Sequence, residues 1–374
     1  MKKTDFKRIL QAALLSVLII AVSAVAVSAS GDLQVHFIDV GQGDSELIQF
    51  NGTNILIDGG TQDMGPEVES YLREHGVSSL DLVVATHPHE DHIGGLLTIL
   101  NDFIVLQVLD SGQAHTSQTF ENYLNLIDQK NIPFTVAERG QTIDLDPSLK
   151  IEVLSPPATL FSGDLNQNSI VLKVTYSNVS FLFMGDAGIE AESSLLSSEY
   201  DLKSTMLKVG HHGSSSSTGA AFLSRVQPEV EIIEVGAGND YGHPTQKTLS
   251  ALQSTGSKVY RTDLDGDIVV TTDGQSYSVT TEKSGSTAST SAQAAASVVL
   301  NTSTTQAMPS VVLNTSTSDT TATATITTTA TASQEAFVGS VKSNKYHYPS
   351  CQWAQKIKPS NEIWFSGSAD ARAH

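Results

Sequence analysis

The sequence predicts an α/β chain in which sheets pack face to face and are covered by helices. Three observations predict it. Short strands and amphipathic helices alternate from Asp32 to about Lys283. The strand-rich blocks and their helices come in two sets. Each cluster of His or Asp stands directly after an apolar run, at a strand end, where mixed α/β folds usually carry their chemistry.

The elements follow in order. Leu33–Asp39 and Ser45–Phe50 alternate apolar and polar residues as half-buried strands do. Asn51-Gly52 is a hairpin turn leading to a strand over Asn54–Asp58. Pro66–His75 reads as a helix opened by proline. The continuous apolar run Leu82–Ala85 reads as a buried strand, with a helix over Gly94–Leu100 after its loop. Ile104–Leu109 is a strand, Thr116–Lys130 a helix, and Ile151–Leu154, Ser169–Tyr176 and Ser180–Met184 are strands. The second set has strands Thr205–Val209 and Glu231–Val235 and helix Gln246–Ser254. Strands Lys258–Arg261, Asp267–Thr272 and Ser276–Thr281 close the domain.

The most informative segment is His87-Pro88-His89-Glu90-Asp91-His92, the loop after Leu82–Ala85. The chain has only 11 His in 374 residues, so three within six positions argue for a function. Imidazole nitrogen and carboxylate oxygen suit zinc, iron and manganese. Four such ligands can serve two ions, His87 and His89 facing one, Asp91 and His92 the other.

Four further clusters complete the set. Asp58 ends a strand and can support a metal-bound histidine by a hydrogen bond, while Gly59 and Gly60 allow close approach to a ligand. Asp186 follows Phe181-Leu182-Phe183-Met184, where a carboxylate is costly unless cations compensate it. It is the expected bridge between the ions, although a lone Asp there also serves as a helix cap. His211, His212 and His243 follow strands and supply more imidazoles. Ser214 opens either a flexible loop or a phosphate-holding hydroxyl patch. His36 and His75 sit on a strand and a helix end and are not expected to be ligands, and His115 has no assigned role.

Residues 31–283 are the expected folded domain. Residues 1–30 have a basic start, an apolar stretch from Ile9 to about Val27, and small residues at the end. This reads as an export signal cleaved near Ala29 or Ser30, the alternative being an uncleaved membrane anchor. Either form places the body outside, extracellular or on the cell surface. The single cysteine, Cys351, rules out an intramolecular disulfide framework. Residues 284–335, nearly all Ser, Thr, Ala and Val, cannot bury a core and read as an extended linker. Residues 336–374 regain aromatics and read as a small module. The formal charge of −19 argues against a basic surface that holds DNA by charge alone, but not against a nuclease whose bound ions supply the positive charge.

The histidine loop with Asp58 and Asp186 resembles the metallo-β-lactamase superfamily, an αββα sandwich, over roughly Leu33–Thr281. More narrowly, the chain resembles the hydrolase domain of the ComEC/Rec2 DNA-uptake proteins and its stand-alone relatives. The residues that carry this are Phe37–Asp44, Asn166–Ser169, Leu207–Ser214, Tyr241-Gly242-His243-Pro244 and Arg261-Thr262-Asp263. Nothing beyond the N-terminal segment is apolar enough to span a membrane, so a role in uptake does not transfer automatically. Many superfamily members place a metal-binding histidine shortly before the bridging aspartate. Here Asp164, Asn166 and Asn168 stand in that region, leaving His211 or His212 to fill the position. The tail, with Tyr346-His347 and Cys351, resembles a truncated zinc-binding module of Ada-type repair proteins.

The resemblance implies a hydrolase with two divalent ions, zinc or manganese. The favoured reaction is phosphodiester hydrolysis of nucleic acid by metal-activated water. Asp91 would orient that water or take its proton, His212 would protonate the leaving oxygen, and Gly60, Asn168 and Ser214 would touch substrate. The alternatives are a carbonyl hydrolase (lactonase, thioesterase or β-lactamase) on the same centre, and a non-enzymatic surface binding protein. No protein partner is implied, and a membrane tether follows only from the uncleaved-anchor alternative for residues 1–30.

Overall fold

The computed structural model describes residues 31–283 and the strand segments 288–291, 337–340, 346–347 and 362–365. Residues 1–30, expected to direct export, most of the expected linker at 284–335 and Cys351 lie outside the described residues. The chain divides into two units, residues 1–298 and 299–374.

In the first unit the chain runs β1 (Leu33–Phe37), β2 (Glu46–Phe50), β3 (Thr53–Ile57), α1 (Gly65–Glu74), β4 (Ser79–Leu80) and β5 (Leu82–Ala85). The short α2 (Glu90–Ile93) and α3 (Leu96–Asp102) follow, then β6 (Ile104–Val105), β7 (Val108–Asp110), α4 (Gln118–Gln129) and β8 (Phe134–Val136). The second set has β9 (Thr142–Ile143), β10 (Leu149–Ser155), β11 (Val171–Tyr176), β12 (Val179–Phe183), α5 (Ile189–Leu196), β13 (Met206–Lys208) and α6 (Ala220–Val226). It continues with β14 (Val230–Ile233), α7 (Gln246–Thr255), β15 (Lys258–Arg261) and α8 (Thr262–Asp265). β16 (Ile268–Thr272), β17 (Ser276–Thr281) and β18 (Ala288–Ser291) return to the first sheet.

One sheet has nine strands, ordered β18-β17-β16-β1-β2-β3-β5-β7-β8, and the other seven, ordered β15-β14-β13-β12-β11-β10-β9. β4 and β6 form a separate parallel pair. Residue alternation builds the layers. Ile48, Ile55, Ile57, Leu82 and Val84 face the inter-sheet core, while Leu47, Leu56 and Val83 face a core shared with Leu72 of α1, Ile99 of α3 and Tyr123 of α4. In the second sheet Leu172, Val174, Phe181 and Phe183 point inward, while Val171 and Leu182 meet Leu195 of α5, Phe222 of α6 and Leu252 of α7. The result is the expected four-layer αββα sandwich. Phe37 stacks on Phe183 at 6.1 Å and Phe50 meets Tyr176 at 4.8 Å, which joins the sheets.

β3, β5, β7 and β8 run parallel, as do β12, β13, β14 and β15. The C-terminal ends of β3 and β5 deliver Asp58 and the histidine loop; those of β12, β13 and β14 deliver Asp186, His211-His212 and, by a longer loop, His243.

Several elements differ from the sequence expectation: the short β4, β8, β9, α2, α5 and α8 are additional to it, and three further differences have a local cause. The stretch Ile104–Leu109 is two strands, because Leu106 turns outward and Gln107 accepts from Val83 N between them. α6 is seven residues long, too short for a visible apolar stripe. β18 pairs with β17 inside the stretch assigned to the linker. In the second unit β19 (Phe337–Ser340) pairs with β20 (Tyr346–His347) and β21 (Glu362–Phe365). No described helix is long and apolar enough to cross a membrane.

Candidate metal centre

The site grows out of β3 and β5. Asp58, just past β3, is buried in a left-handed conformation at φ 53°. One carboxylate oxygen accepts from Thr86 N at 2.8 Å, the other from Thr86 Oγ1 at 2.5 Å. The second oxygen also meets His92 Nδ1 at 2.7 Å. This single side chain ties the start of the histidine loop to its end and leaves His92 Nε2 directed elsewhere. His87 Nε2 and His89 Nδ1 stand 3.0 Å apart.

The second sheet supplies the facing groups. Asp186 follows β12 and is almost fully buried. Its Oδ2 lies 3.7 Å from His87 Nε2 and 3.7 Å from His211 Nε2. Its Oδ1 lies 3.4 Å from both His92 Nε2 and His212 Nε2. Asp91 Oδ2 stands 3.5 Å from His212 Nε2 and 4.0 Å from His92 Nε2. His211 and His212 both adopt left-handed backbone at φ 50°. Such conformations cost about 1–3 kcal/mol each in non-glycine residues and cluster at functional sites.

Two ligand groups share His92. His87, His92 and Asp186 converge, as do Asp91, His92 and His212. The residues fit cations on an independent observation. His92 Nε2, His212 Nε2 and Asp186 Oδ1 are all buried without a hydrogen-bond partner, although each is within 3.4 Å of another ligand atom. A buried polar atom without a partner is costly, and a cation at their convergence satisfies all three.

The electrostatics agree. Burial alone would push the His92 and His212 imidazoles down, but the surrounding carboxylates, led by Asp186, hold His92 well above its usual range and His212 at about 10. Burial would raise Asp186 and Asp91, yet the same imidazoles keep both carboxyls well below the ordinary range. His87 is the opposite case, with burial and the charge of His92 pushing it well down.

A buried ionic cluster lies beneath. Asp44 binds the ammonium of Lys208, and its other oxygen is 3.2 Å from His212 Nδ1. His212 Nδ1 also donates to Glu234 O at 2.9 Å. Burial raises Asp44, but Lys208, His212 and His92 outweigh it and hold the carboxyl well down. Burial pushes up Glu46, and Glu234 to about 8, with neighbouring carboxylates adding to both. A side chain on Gly43 would put its Cβ 2.3 Å from Asp91 O, so glycine is required for Asp44 to sit against the histidine loop.

A cleft of about 580 Å³ opens over the ligands, with His89, Asp91, Asp186, His211, His212 and His243 in its wall. Gln42, Thr61, Glu90, His115, Asn166 and Tyr241 complete it. A comparable cavity of about 610 Å³ lies at the N-terminal ends of β12, β13 and β14, lined by Lys173, Ser180 and Thr205 among others, away from the ligand groups. His243 reaches the cleft wall with its ring 5.5 Å from His211, outside the two ligand groups.

Some expected roles do not match the placement. Both nitrogens of His212 are committed, Nδ1 to Glu234 O and Nε2 to the ligand group, which removes it as a proton donor to a leaving oxygen. Asn168 is buried with its amide spent on Gln113 and Phe161, and Asn166 faces the cleft instead, its Nδ2 3.3 Å from His211 Nε2. Ser214 is buried, bonded to Ser216, and outside the cleft wall. Gly60 also lies outside it; a Cβ there would stand 2.8 Å from Val40, so its glycine serves packing. Asp44 and Lys208 were legible only as parts of motifs. The signal for Asp44 was the pair of glycines Gly41 and Gly43 bracketing a polar turn directly after β1.

The chain is 31% identical over 257 residues to ComE operon protein 3 of Bacillus subtilis, covering 64% of this chain and 33% of that protein. It is 32% identical over 242 residues to Recombination protein 2 of Haemophilus influenzae, covering 63% and 28% respectively. The chain thus spans about a third of the length of these curated relatives. Among solved structures, Igni18, a metallo hydrolase from Ignicoccus hospitalis, is 19% identical with a TM-score of 0.42, covering 64% of this chain and 98% of that one. The sequence model of the metallo-beta-lactamase superfamily matches residues 38–236, more than half of the chain, and the chain belongs to that superfamily.

Proposed function

We propose that the chain is an exported dimetal phosphodiesterase or nuclease. The observation that carries this reading is the division of labour at Asp186. Its two oxygens face two different sets of histidines, and the partnerless nitrogens of His92 and His212 face one of them. One divalent ion, zinc or manganese, would be held by His87, His89 and Asp186 Oδ2, with His211 at its edge. The other would be held by Asp91, His92, His212 and Asp186 Oδ1. Bound there, the ions supply a nucleophilic hydroxide near neutral pH and offset negative charge at phosphorus.

The chain's own groups do the rest. Asp91 sits half-buried in the cleft wall beside His212 and is positioned to orient water. His211 has Nδ1 3.3 Å from Ser216 Oγ and Nε2 3.3 Å from Asn166 Nδ2, which suits it to the edge of the first ion, so the leaving oxygen would take its proton from water in the cleft. The choice of phosphodiester over carbonyl substrates is supported by the relative named for recombination, Recombination protein 2 of Haemophilus influenzae. The basic and apolar N-terminal residues support export to the cell surface or exterior. The N-terminal sequence of the secreted protein tests that point.

The activity test is hydrolysis of bis(p-nitrophenyl) phosphate and single-stranded DNA by the chelator-treated chain, with manganese or zinc restored. His89→Ala is the control. Metal-restored cleavage that the variant lacks is expected. Metal binding with an intact fold but no cleavage of either substrate would overturn the reading in favour of lactones, thioesters or β-lactams.

A further inference from the structure

The cleft wall has an unusual charge for a site that takes a polyanion. None of the residues lining it is Lys or Arg, while Glu90, Asp91 and Asp186 all contribute carboxylates. Proteins that hold a nucleic-acid strand by its backbone line the track with cations, and affinity then falls steeply with salt. Outside the ions themselves, this cleft offers no such track.

It offers an aromatic face instead. Among residues 31–283 the exposed Phe, Tyr and Trp side chains are Phe134, on edge strand β8, and Tyr241, which is 68% exposed and stands at the cleft rim. The Tyr241 ring lies 5.7 Å from that of His243 at an interplanar angle of 25°, a stacked arrangement. His243 in turn meets His211 edge-on at 5.5 Å, and His211 Nε2 is 3.7 Å from Asp186 Oδ2. A ladder of rings therefore runs from solvent to the bridging carboxylate. Asn239 Oδ1 accepts from the backbone N–H groups of both Tyr241 and His243, which fixes the loop that carries the two rings. The outer face of Tyr241 is the open end of the ladder.

We infer that Tyr241 is a stacking platform for one nucleobase, and that the cleft engages one or two nucleotides of an unpaired strand or short nucleotide ester instead of gripping a long backbone. The inference rests on the phosphodiesterase reading. A base stacked on Tyr241 leads its own phosphate inward along the ladder toward Asp186. Stacking tolerates any base, because each has a π-face, so the subsite selects for an unstacked nucleotide without selecting a sequence. A base inside a duplex is already stacked and does not present that face. The cleft volume of about 580 Å³ matches a ligand of nucleotide size.

The test compares two esters with the same leaving group, using the full metal-loaded chain. Thymidine 5′-(4-nitrophenyl phosphate) carries a base and methyl 4-nitrophenyl phosphate does not. Tyr241→Ala is expected to raise KM for the thymidine ester by about ten- to hundredfold. It should leave the methyl ester unchanged, with Tyr241→Phe and Tyr241→Trp retaining wild-type KM for both. Hydrolysis of both esters with no selective loss in Tyr241→Ala would overturn this inference alone. Hydrolysis of neither by the wild type would overturn the phosphodiesterase reading and this inference with it. A length series of oligothymidylates adds a second readout. The inference expects kcat/KM to level off by the dinucleotide and to change less than about threefold between 50 and 200 mM salt. A continued rise with length and a steep loss with salt would overturn it.

Discussion

Asp58 Oδ2 and His92 Nδ1 lie 2.7 Å apart with both side chains fully buried. Asp58 comes from the end of β3 and His92 from α2, and the same carboxylate also holds Thr86 at the end of β5. The bond makes Nδ1 the protonated nitrogen of a neutral His92, so that Nε2 is the free ligand atom.

Replacing that carboxylate should therefore act on the metal before it acts on the fold. Asp58→Asn is expected to weaken metal affinity by about 10–100-fold, the usual cost of losing a carboxylate behind a metal-bound histidine. Competition with a chromophoric chelator measures it. Affinity equal to wild type in a folded variant would refute the role assigned to Asp58.

Metal loading should release protons. His92 and His212 sit above their usual range, His212 at about 10, because several carboxylates surround them. With those shifts both rings hold a second proton at pH 7 in the metal-free protein, and a ligand nitrogen must be free of it. Loading should expel about two protons per molecule at pH 7, and affinity should rise with pH. Titration calorimetry in buffers of different ionisation enthalpy counts them. A count near zero would mean that the histidines are already neutral.

Lys208 and Asp44 form an ion pair with both side chains buried, and Asp44 has Glu46 and Glu234 as neighbours. Lys208→Met leaves the Asp44 charge without its cation. A loss of about 3–5 kcal/mol is expected in urea unfolding. Adding Asp44→Asn to that variant should recover much of it. Equal stability of Lys208→Met and wild type would show that the charge is balanced elsewhere.

Asp110 gives a pH signature away from the ligands. Burial raises its carboxyl from 3.8 to about 6, against opposing hydrogen bonds from Gly112 N and Tyr123 Oη. The folded state then binds the proton more tightly than the unfolded chain. Its contribution to stability is full below about pH 4 and is lost as pH rises through about 6, a change on the order of 3 kcal/mol. Asp110→Asn is expected to flatten that slope and to stabilise the protein at pH 7 by about 1–3 kcal/mol. Thermal unfolding at pH 4.5 and 7 tests it; a variant less stable than wild type at pH 7 would contradict the raised carboxyl.

The parts of the fold that are visible in the sequence are those with local signals. The run Leu82–Ala85 is bounded as expected because every residue in it is buried. The histidine loop stands out by composition, and Asp186 by its place after an apolar strand. Other features depend on partners far along the chain. Lys208 gains its meaning from Asp44, 164 residues away, and nothing near either residue announces the pair. The choice between Asn166 and Asn168 is also hidden. They sit in one 3-10 turn, where residues two apart point in different directions, and only the packing of Gln113 and Phe161 decides which faces the cleft.

The strand order also bears on how this protein can be dissected. The superfamily match covers residues 38–236, but β1 starts at Leu33, lies between β2 and β16, and β16 begins at Ile268. A fragment cut to the matched region would lose β1, β16 and β17 and leave β2 as a bare sheet edge, with Ile48 and Phe50 stripped of their neighbours in the inter-sheet core. Such an edge invites pairing with a second chain and aggregation. The stretch matched by the superfamily model is therefore shorter than the stretch that can fold, and a soluble fragment must run from before β1 to beyond β17.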